Sequence, residues 1–248
     1  MNVFTHLGKY TLTIKGMFSK PENAKMYWKE LMKQCMDIGI GSLPIVLIIS
    51  VFLGAVMTVQ TAYQLVADFI PKTTIAVIVR DSMMLELSPT VISLVLAGVV
   101  GSKIASELGN MRISEQIDAL EIMGINTRSY LIAPKIMASM LTVPLLISLS
   151  IFVALLGGRF TAQATGIMDV FTFDEGLRSG FNGFNVWVAM IKAIVFAYIF
   201  SSVPAYFGYN VRGGALEIGR SSTLAVVVSC ILILLADYVV TLIMLNAG

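Results

Sequence analysis

The chain has 248 residues, of which 57% are hydrophobic and only 13% are charged. Soluble domains carry about 25% charged residues, so this chain cannot cover a globule of its size with polar surface and is predicted to be an integral membrane protein. A net charge of +2 excludes the strongly basic surface of a nucleic-acid-binding protein, and the only two cysteines, Cys35 and Cys230, form no CxxC metal-binding or redox pattern.

The N-terminal region, residues 1–42, is rich in lysine. Between residues 24 and 40, Met26, Leu31, Cys35 and Ile38 recur at helical spacing among lysines, with Trp28 nearby. This pattern predicts a helix that lies in the inner headgroup layer of a membrane. A soluble helix that leads into the first span is the alternative.

Five apolar stretches are long enough to cross a hydrocarbon core of about 30 Å, which takes about 20 helical residues. Their hydrophobicity is continuous rather than alternating, which favours helices over the strands of a closed barrel. The predicted class is therefore an all-α membrane protein, with spans at residues 43–66, 89–109, 136–156, 186–207 and 222–245. The stretch 73–86 is too charged to span, and we predict a helix or bend at the surface there.

The first span carries Gln60 and Tyr63 near its C-terminal end, after the apolar residues Leu53 and Met57. Polar groups at this depth can line a path through the membrane, with Leu53 and Met57 along its apolar part. Tyr63 is equally explained as an aromatic anchor at the membrane interface, which is the commoner role of tyrosine in spans.

Glu107 lies at the C-terminal end of the second span, one helical turn after Lys103. The two side chains can neutralise each other across that turn. A functional role of Glu107 outside this pair is the alternative, and the sequence does not separate the two interpretations.

The segment EQIDALEIMG, residues 115–124, is predicted to form a short acidic helix between the second and third spans. Ser114 can cap it, and acids in the first turn suit the helix dipole. A helix this short is marginal alone in water, so it packs either on the chain's own end or into a groove on a soluble partner. In the second case an apolar stripe and flanking polar residues form the docking surface: Glu115, Gln116, Ile117, Asp118, Leu120 and Glu121.

Two charges lie deep inside predicted spans, away from the span ends. Lys192 lies about 9 Å into the fourth span from its N-terminal end, and Asp237 lies about 22 Å into the oppositely running fifth span, at a rise of 1.5 Å per residue. Because the two spans run in opposite directions across a core of about 30 Å, both charges lie at a similar depth in its outer half. We therefore predict a Lys192–Asp237 ion pair. A structural role that joins the two spans is favoured over contact with a substrate.

The distribution of lysine and arginine predicts the orientation. With the N-terminus inside, the cytoplasmic segments 1–42, 103–135 and 209–221 hold twelve of these residues, and the outer segments hold four. This bias follows the positive-inside rule and places the C-terminus on the outer side after five spans.

The stretch from residue 87 to 146 contains ASELGNM, EQIDALEIMGI and then Pro134 followed by PLL at residues 144–146, in that order. It resembles the core motif of the MlaE family, permease subunits of ABC-type lipid transporters that work with MCE-domain proteins. FGYNVRGGALEIGRSSTLAVVVSCILILLADYVVTLIM resembles the family's last loop and last span. The sequence departs from the family at Val99 and Lys135, where arginine is usual.

The resemblance implies a permease domain over residues 43–248, preceded by the N-terminal interfacial region. It implies a homodimer in the bacterial inner membrane, with a lipid cavity lined by spans one, two and five. A cytoplasmic ATPase dimer would dock on residues 115–121, an MCE-domain hexamer would lie on the periplasmic face, and a STAS-domain subunit is a further possible partner. Residues Leu53, Met57, Gln60, Tyr63 and Glu107 are the expected cavity residues.

The chain has no G-x-x-x-x-G-K-[ST] motif, so ATP and Mg²⁺ are expected on a separate ATPase subunit, and no cofactor or metal is expected here. A secondary transporter of a small solute would need several polar groups at mid-membrane, and these are nearly all apolar. An intramembrane enzyme would need a nucleophile with a base, but the only histidine, His6, is outside every span. A non-transporting scaffold subunit remains the main alternative to a lipid permease.

Overall fold

A computed structural model describes residues 3–17, 24–65 and 71–247, and their regular structure is entirely helical. Side chains are described from residue 8, apart from residue 24, to residue 244 within these ranges. The α-helices are α1 (Val3–Met17), α2 (Ala24–Cys35), α3 (Gly41–Gln64), α4 (Thr73–Ser82), α5 (Ser88–Leu96), α6 (Ser102–Ile113), α7 (Gln116–Ile122), α8 (Ala133–Ala164), α9 (Val170–Arg178), α10 (Phe184–Tyr209) and α11 (Ala215–Ala247).

Short π-helical segments connect several of these α-helices, so that the chain stays helical from one to the next. They are Met36–Ile40 between α2 and α3, Met83–Leu87 and Ala97–Gly101 on either side of α5, and Arg128–Ile132 before α8. Among the described residues, five continuous helices are long and apolar enough to cross a membrane: Lys25–Gln64, Thr73–Ile113, Arg128–Ala164, Phe184–Tyr209 and Ala215–Met244. The predicted class, a multi-pass all-α membrane protein with five spans, is confirmed.

The structure corrects the prediction for the charged stretch 73–86. It does not lie at the surface: α4 continues into the second span, and Ile75, Ala76 and Val79 are buried. Helices α1 and α9 were not predicted. Val66, the predicted end of the first span, lies outside the described residues.

Contacts divide the chain into two units, and the boundaries fall within the spans. The first unit contains Met1–Ser42, Ser93–Val143 and Ile194–Ala236. The second contains Leu43–Ile92, Pro144–Ala193 and Asp237–Gly248.

In the first unit, tyrosine side chains connect the N-terminal helices to the spans through hydrogen bonds and a ring contact. The Tyr27 hydroxyl donates a hydrogen bond to Ser129 Oγ over 2.7 Å, and the Tyr10 hydroxyl lies 2.8 Å from Ser202 Oγ. The Tyr10 and Tyr206 rings meet edge to face, with centroids 5.7 Å apart. Burial raises the pKa of Tyr10, so its hydroxyl stays neutral. Helix α2 buries Leu31 and leaves Trp28 and its lysines exposed, as an interfacial helix requires.

In the second unit, α4 and α9 pack around Phe173, which is fully buried. Arg80 of α4 is also buried, at 2% exposure, although arginine is rarely buried unless paired. Its guanidinium donates hydrogen bonds to the carbonyls of Leu177, Ser179 and Gly180 at the end of α9, and to Asp81. A cation at a helix C-terminus satisfies its free carbonyls and complements the dipole, so Arg80 holds the short helix in place.

Helices α3 and α8 approach closely through small residues. The Ser50 hydroxyl lies 2.7 Å from Ser150 Oγ, a Cβ on Gly157 would lie 2.6 Å from the Val51 carbonyl oxygen, and a Cβ on Gly54 would overlap the Ala154 carbonyl oxygen. Membrane helices associate through small residues of this kind, because their backbones can then touch.

We therefore expect Gly54→Ala to destabilise the protein by about 1–3 kcal/mol, because the added methyl group forces two backbones apart. Thermal melting of the purified protein in detergent measures this. The matched control is Gly98→Ala, since nothing lies within 4 Å of a Cβ at that position. The control is expected to be neutral or to stabilise by about 0.5–1 kcal/mol, and equal melting of the two variants would contradict the close approach.

Candidate functional site

A cluster of three charges lies inside the second unit. Lys192 on α10 is fully buried, and its Nζ lies 2.7 Å from Asp237 Oδ1 and 2.9 Å from Glu86 Oε1. The structure thus brings together Lys192 and Asp237, as the depth argument predicted, and adds Glu86. Glu86 was missed because the charged stretch that contains it was assigned to the surface. Thr90 donates a hydrogen bond to Asp237, and Thr241 donates one to Glu86, each over 3.2 Å.

Lys192 also binds the backbone of the second span. Its Nζ donates a hydrogen bond to the Leu85 carbonyl oxygen over 2.8 Å, inside the π-helical segment Met83–Leu87. Four residues later, Pro89 has no N–H and cannot supply the α-helical bond to that carbonyl. The buried ammonium replaces the missing donor, so the position of Pro89 explains why this lysine lies here.

The charge cluster carries one excess negative charge, from two carboxylates and one ammonium. Asp237 is 16% exposed, whereas Glu86 is 45% exposed and reaches an open groove of about 260 Å³. The groove is lined by Asp81, Ser82, Leu85, Glu86, Phe184, Asn185, Val188, Lys192, Thr241 and Met244. Typical small-molecule pockets measure roughly 300–1,000 Å³, so this chain alone offers space for part of an amphiphile.

The acidic helix α7 differs from its prediction in how it begins and in which face is covered. Ser114 does not cap it, because the Ser114 hydroxyl donates its hydrogen bond back to Asn110 in α6, and Glu115 takes a left-handed φ of 58° between the helices. Ile117 is fully buried within the first unit, so it is not available to a partner, and Leu120 is half-buried. The exposed apolar residues are Ile122, at 88%, and Met123, at 66%.

Two acids of α7 bind residues of the same chain. Arg112 donates a hydrogen bond to Asp118 over 2.6 Å. The hydroxyls of Tyr209 and Thr127 donate to Glu121 over 2.9 and 3.0 Å. The structure therefore ties α7 to the ends of α6 and α10, while Glu115 and Gln116 remain exposed. Docking of an ATPase on this helix stays a prediction.

Glu107 does not pair with Lys103, which is exposed. Its carboxylate accepts a hydrogen bond over 2.7 Å from Lys135, which is buried at the start of α8. The pair joins α6 to α8 rather than two turns of one helix. Sequence proximity suggested the wrong partner because Lys135 is 28 residues away. A role of Glu107 in a lipid cavity stays a prediction.

The predicted cavity residues of the first span divide into two groups. Leu53 and Met57 are partly buried and pack against the apolar core residues around Phe173. Gln60 and Tyr63 are exposed, and Tyr63 lines a second groove of about 320 Å³ with Lys72 and Ile75. Their contact with lipid stays a prediction.

No group of three or more histidine, cysteine, aspartate or glutamate side chains could hold a metal ion in the part of the chain whose residues are described. The side chain of His6 lies outside that part.

Comparison with known proteins identifies similar chains. The family model described as Permease MlaE matches residues 31–243. A probable ABC transporter permease protein of Rickettsia bellii is 33% identical over 235 residues, which cover 95% of this chain and 90% of that protein. The intermembrane phospholipid transport system permease protein MlaE of Haemophilus influenzae is 29% identical over 100% of this chain and 95% of its own length. The chloroplastic protein TRIGALACTOSYLDIACYLGLYCEROL 1 of Arabidopsis thaliana is 31% identical over 88% of this chain and 62% of its own.

Proposed function

Because the chain belongs to the MlaE permease family, we propose that it is the membrane subunit of an ATP-driven transporter that moves phospholipid. ATP hydrolysis occurs on a separate ATPase subunit, since this sequence carries no phosphate-binding loop. The name of the Haemophilus relative supports phospholipid as the substrate class.

The proposed location is the bacterial inner membrane, with the N-terminus in the cytoplasm and the C-terminus in the periplasm. The threefold excess of lysine and arginine on the N-terminal side supports this orientation. Helix α7 then faces the cytoplasm, where an ATPase can reach Ile122 and Met123.

The proposed assembly is a homodimer with a cytoplasmic ATPase dimer and a periplasmic MCE-domain hexamer. Helix α11 is largely uncovered by the rest of the chain: only 11% of the residues in its most apolar part are buried, against 56% in α10. Its apolar surface is therefore available to a second copy of the chain or to lipid. The small volume of the groove beside Glu86 also suits a second copy that completes the lipid site. A STAS-domain subunit would join on the cytoplasmic side.

The observation that carries the lipid assignment is the groove at Glu86. Its lining combines charged residues, among them Glu86 and Lys192, with apolar residues such as Leu85, Phe184 and Val188. Such a surface fits a molecule with a charged head and an apolar chain. The five spans otherwise present apolar surface, which suits acyl chains better than a small polar solute.

The test is lipid transfer by the permease–ATPase complex in proteoliposomes. ATP-dependent movement of a fluorescent phospholipid to acceptor vesicles, together with stimulation of ATP hydrolysis by added lipid, is the expected result. Asn185→Trp should lose most of the transfer, because it fills the groove. Val186→Trp is the matched control, since the neighbouring residue is exposed and does not line the groove.

A complex that assembles but hydrolyses ATP at one rate with and without lipid would contradict the proposal and favour a scaffold subunit. Equal transfer by Asn185→Trp and Val186→Trp would contradict the groove as the lipid route.

A further inference from the structure

A polar pocket of about 190 Å³ lies in the first unit, apart from the groove at Glu86. It is formed where α6, α7 and α10 end and the third span begins. All of its lining residues except Val211 are polar or charged: Arg112, Glu121, Arg128, Tyr209, Asn210 and Arg212. Three guanidinium groups in so small a pocket are a feature that the transport groove does not explain.

The charges around the pocket sum to a positive value. Three arginines face the carboxylate of Glu121 and that of Asp118, which Arg112 binds, so three positive and two negative charges leave +1. Glu121 accepts two hydroxyl hydrogen bonds, which share its negative charge. Neither Arg128 nor Arg212 forms an ion pair with any residue that the structure describes.

Tyr209 organises two of these guanidinium groups. The Arg112 and Arg128 carbons Cζ each lie 5.9 Å from the centroid of the Tyr209 ring, within the range of cation–π attraction. Arg128 is also held by a weak hydrogen bond from Nη1 to the Leu12 carbonyl of α1, over 3.4 Å. Planar guanidinium groups held in place can bind phosphate oxygens in pairs, which a lysine cannot do.

The pocket lies at one end of three of the helices that are long and apolar enough to cross a membrane. Arg128 is the first residue of one of them, Tyr209 is the last residue of another, and Arg112 is one residue from the end of a third. Basic pockets between spans on the cytoplasmic side bind anionic lipid headgroups. The neighbouring interfacial helix α2, with exposed Trp28 and lysines, lies in the same unit.

We propose that the pocket formed by Arg112, Arg128, Arg212 and Tyr209 binds the phosphate of an anionic lipid headgroup in the inner leaflet. This site shares no lining residue with the groove at Glu86 and does not require transport activity, but its assignment to the inner leaflet rests on the proposed orientation. Because Glu121 of α7 forms one wall, a bound phosphate contacts the helix on which ATPase docking is predicted.

The test uses the full-length permease, purified without an ATPase, in nanodiscs of phosphatidylcholine with or without cardiolipin. Native mass spectrometry should find cardiolipin retained on the wild-type chain. Arg212→Gln should lower its retention about tenfold, as expected for a lost hydrogen bond to a charged group. Arg212 is exposed, so this variant should fold normally, and Arg212→Lys should restore retention only in part because it lacks the paired donors.

The matched control is Arg220→Gln, an exposed arginine whose one ion pair is with Glu217 on the same helix. It should retain cardiolipin like the wild type. A second arm adds inorganic phosphate: displacement of cardiolipin supports a phosphate-binding pocket, and binding of inorganic phosphate without any preference for cardiolipin overturns the lipid source. Equal retention by Arg212→Gln and Arg220→Gln overturns the proposal. If Arg212→Gln leaves cardiolipin retention unchanged but weakens ATPase binding in a separate copurification with the tagged permease, the pocket contacts a protein surface and the lipid assignment is wrong.

Discussion

Replacing Lys192 with methionine is expected to destabilise the folded chain by about 3–5 kcal/mol, because breaking a buried ion pair leaves an uncompensated charge. Lys192 is fully buried between Glu86 and Asp237, and its removal would leave two carboxylates close to each other with no cation between them. The Leu85 carbonyl would also lose its donor beside Pro89. Thermal melting of the purified chain in detergent measures the change, at about 2–4 °C per kcal/mol for a chain of 150–250 residues.

Two variants make this experiment specific. Lys103→Met removes an exposed lysine and should melt like the wild type. The double variant Lys192→Met/Asp237→Asn should melt above the single variant, because the remaining Glu86 is 45% exposed and can be solvated from the groove. A single variant that melts like Lys103→Met would show that the charge cluster does not stabilise the spans.

The sequence predicted the spans and two of the three members of the charge cluster for simple physical reasons. Twenty apolar residues are a strong signal, because a hydrocarbon core leaves no other place for them. Lys192 and Asp237 were paired because a fixed rise per residue converts sequence position into depth. Both arguments depend on the membrane and need no knowledge of side-chain packing.

The same arguments failed where charges were neutralised by tertiary contacts. The stretch 73–86 looked too charged to be buried, yet Arg80 is satisfied by the carbonyls of α9 and Glu86 by Lys192. A hydropathy scale assigns each charged residue the cost of an unpaired charge in the membrane. It cannot include the partners of Arg80 and Glu86, because these lie about 100 residues away in the sequence. Pro89 was the available signal, since it leaves a carbonyl without a donor in a span.

Helix α7 shows a second limit. Periodicity correctly placed Ile117 on the apolar face of a short helix, but it does not tell which body covers that face. The structure covers it with the first unit of the same chain and leaves Ile122 and Met123 exposed. Glu121 likewise binds Tyr209 in place of a basic residue on a partner.

This correction changes which substitution should disrupt ATPase binding. Ile122→Asp is expected to weaken association by at least about 2 kcal/mol, or roughly thirtyfold, because exposed apolar residues near an interface centre dominate affinity. Ile122 is 88% exposed at the end of α7, so the permease itself should fold and remain monodisperse. Copurification of the ATPase with the tagged permease, beside size-exclusion chromatography of the permease alone, measures both quantities.

Leu216→Asp is the matched control, since Leu216 is 78% exposed in the same unit but belongs to α11. Its ATPase binding should stay near the wild-type level. Ile117→Ala provides the contrast: it creates a cavity in the permease, so it should lower the melting temperature by an amount equivalent to about 2–5 kcal/mol whether or not an ATPase is present. If Ile122→Asp and Leu216→Asp bind the ATPase equally well, α7 is not the docking helix. The exposed end of α7 is then free for another partner. The hydrogen bonds that Asp118 and Glu121 accept would in that case only stabilise the fold of the first unit.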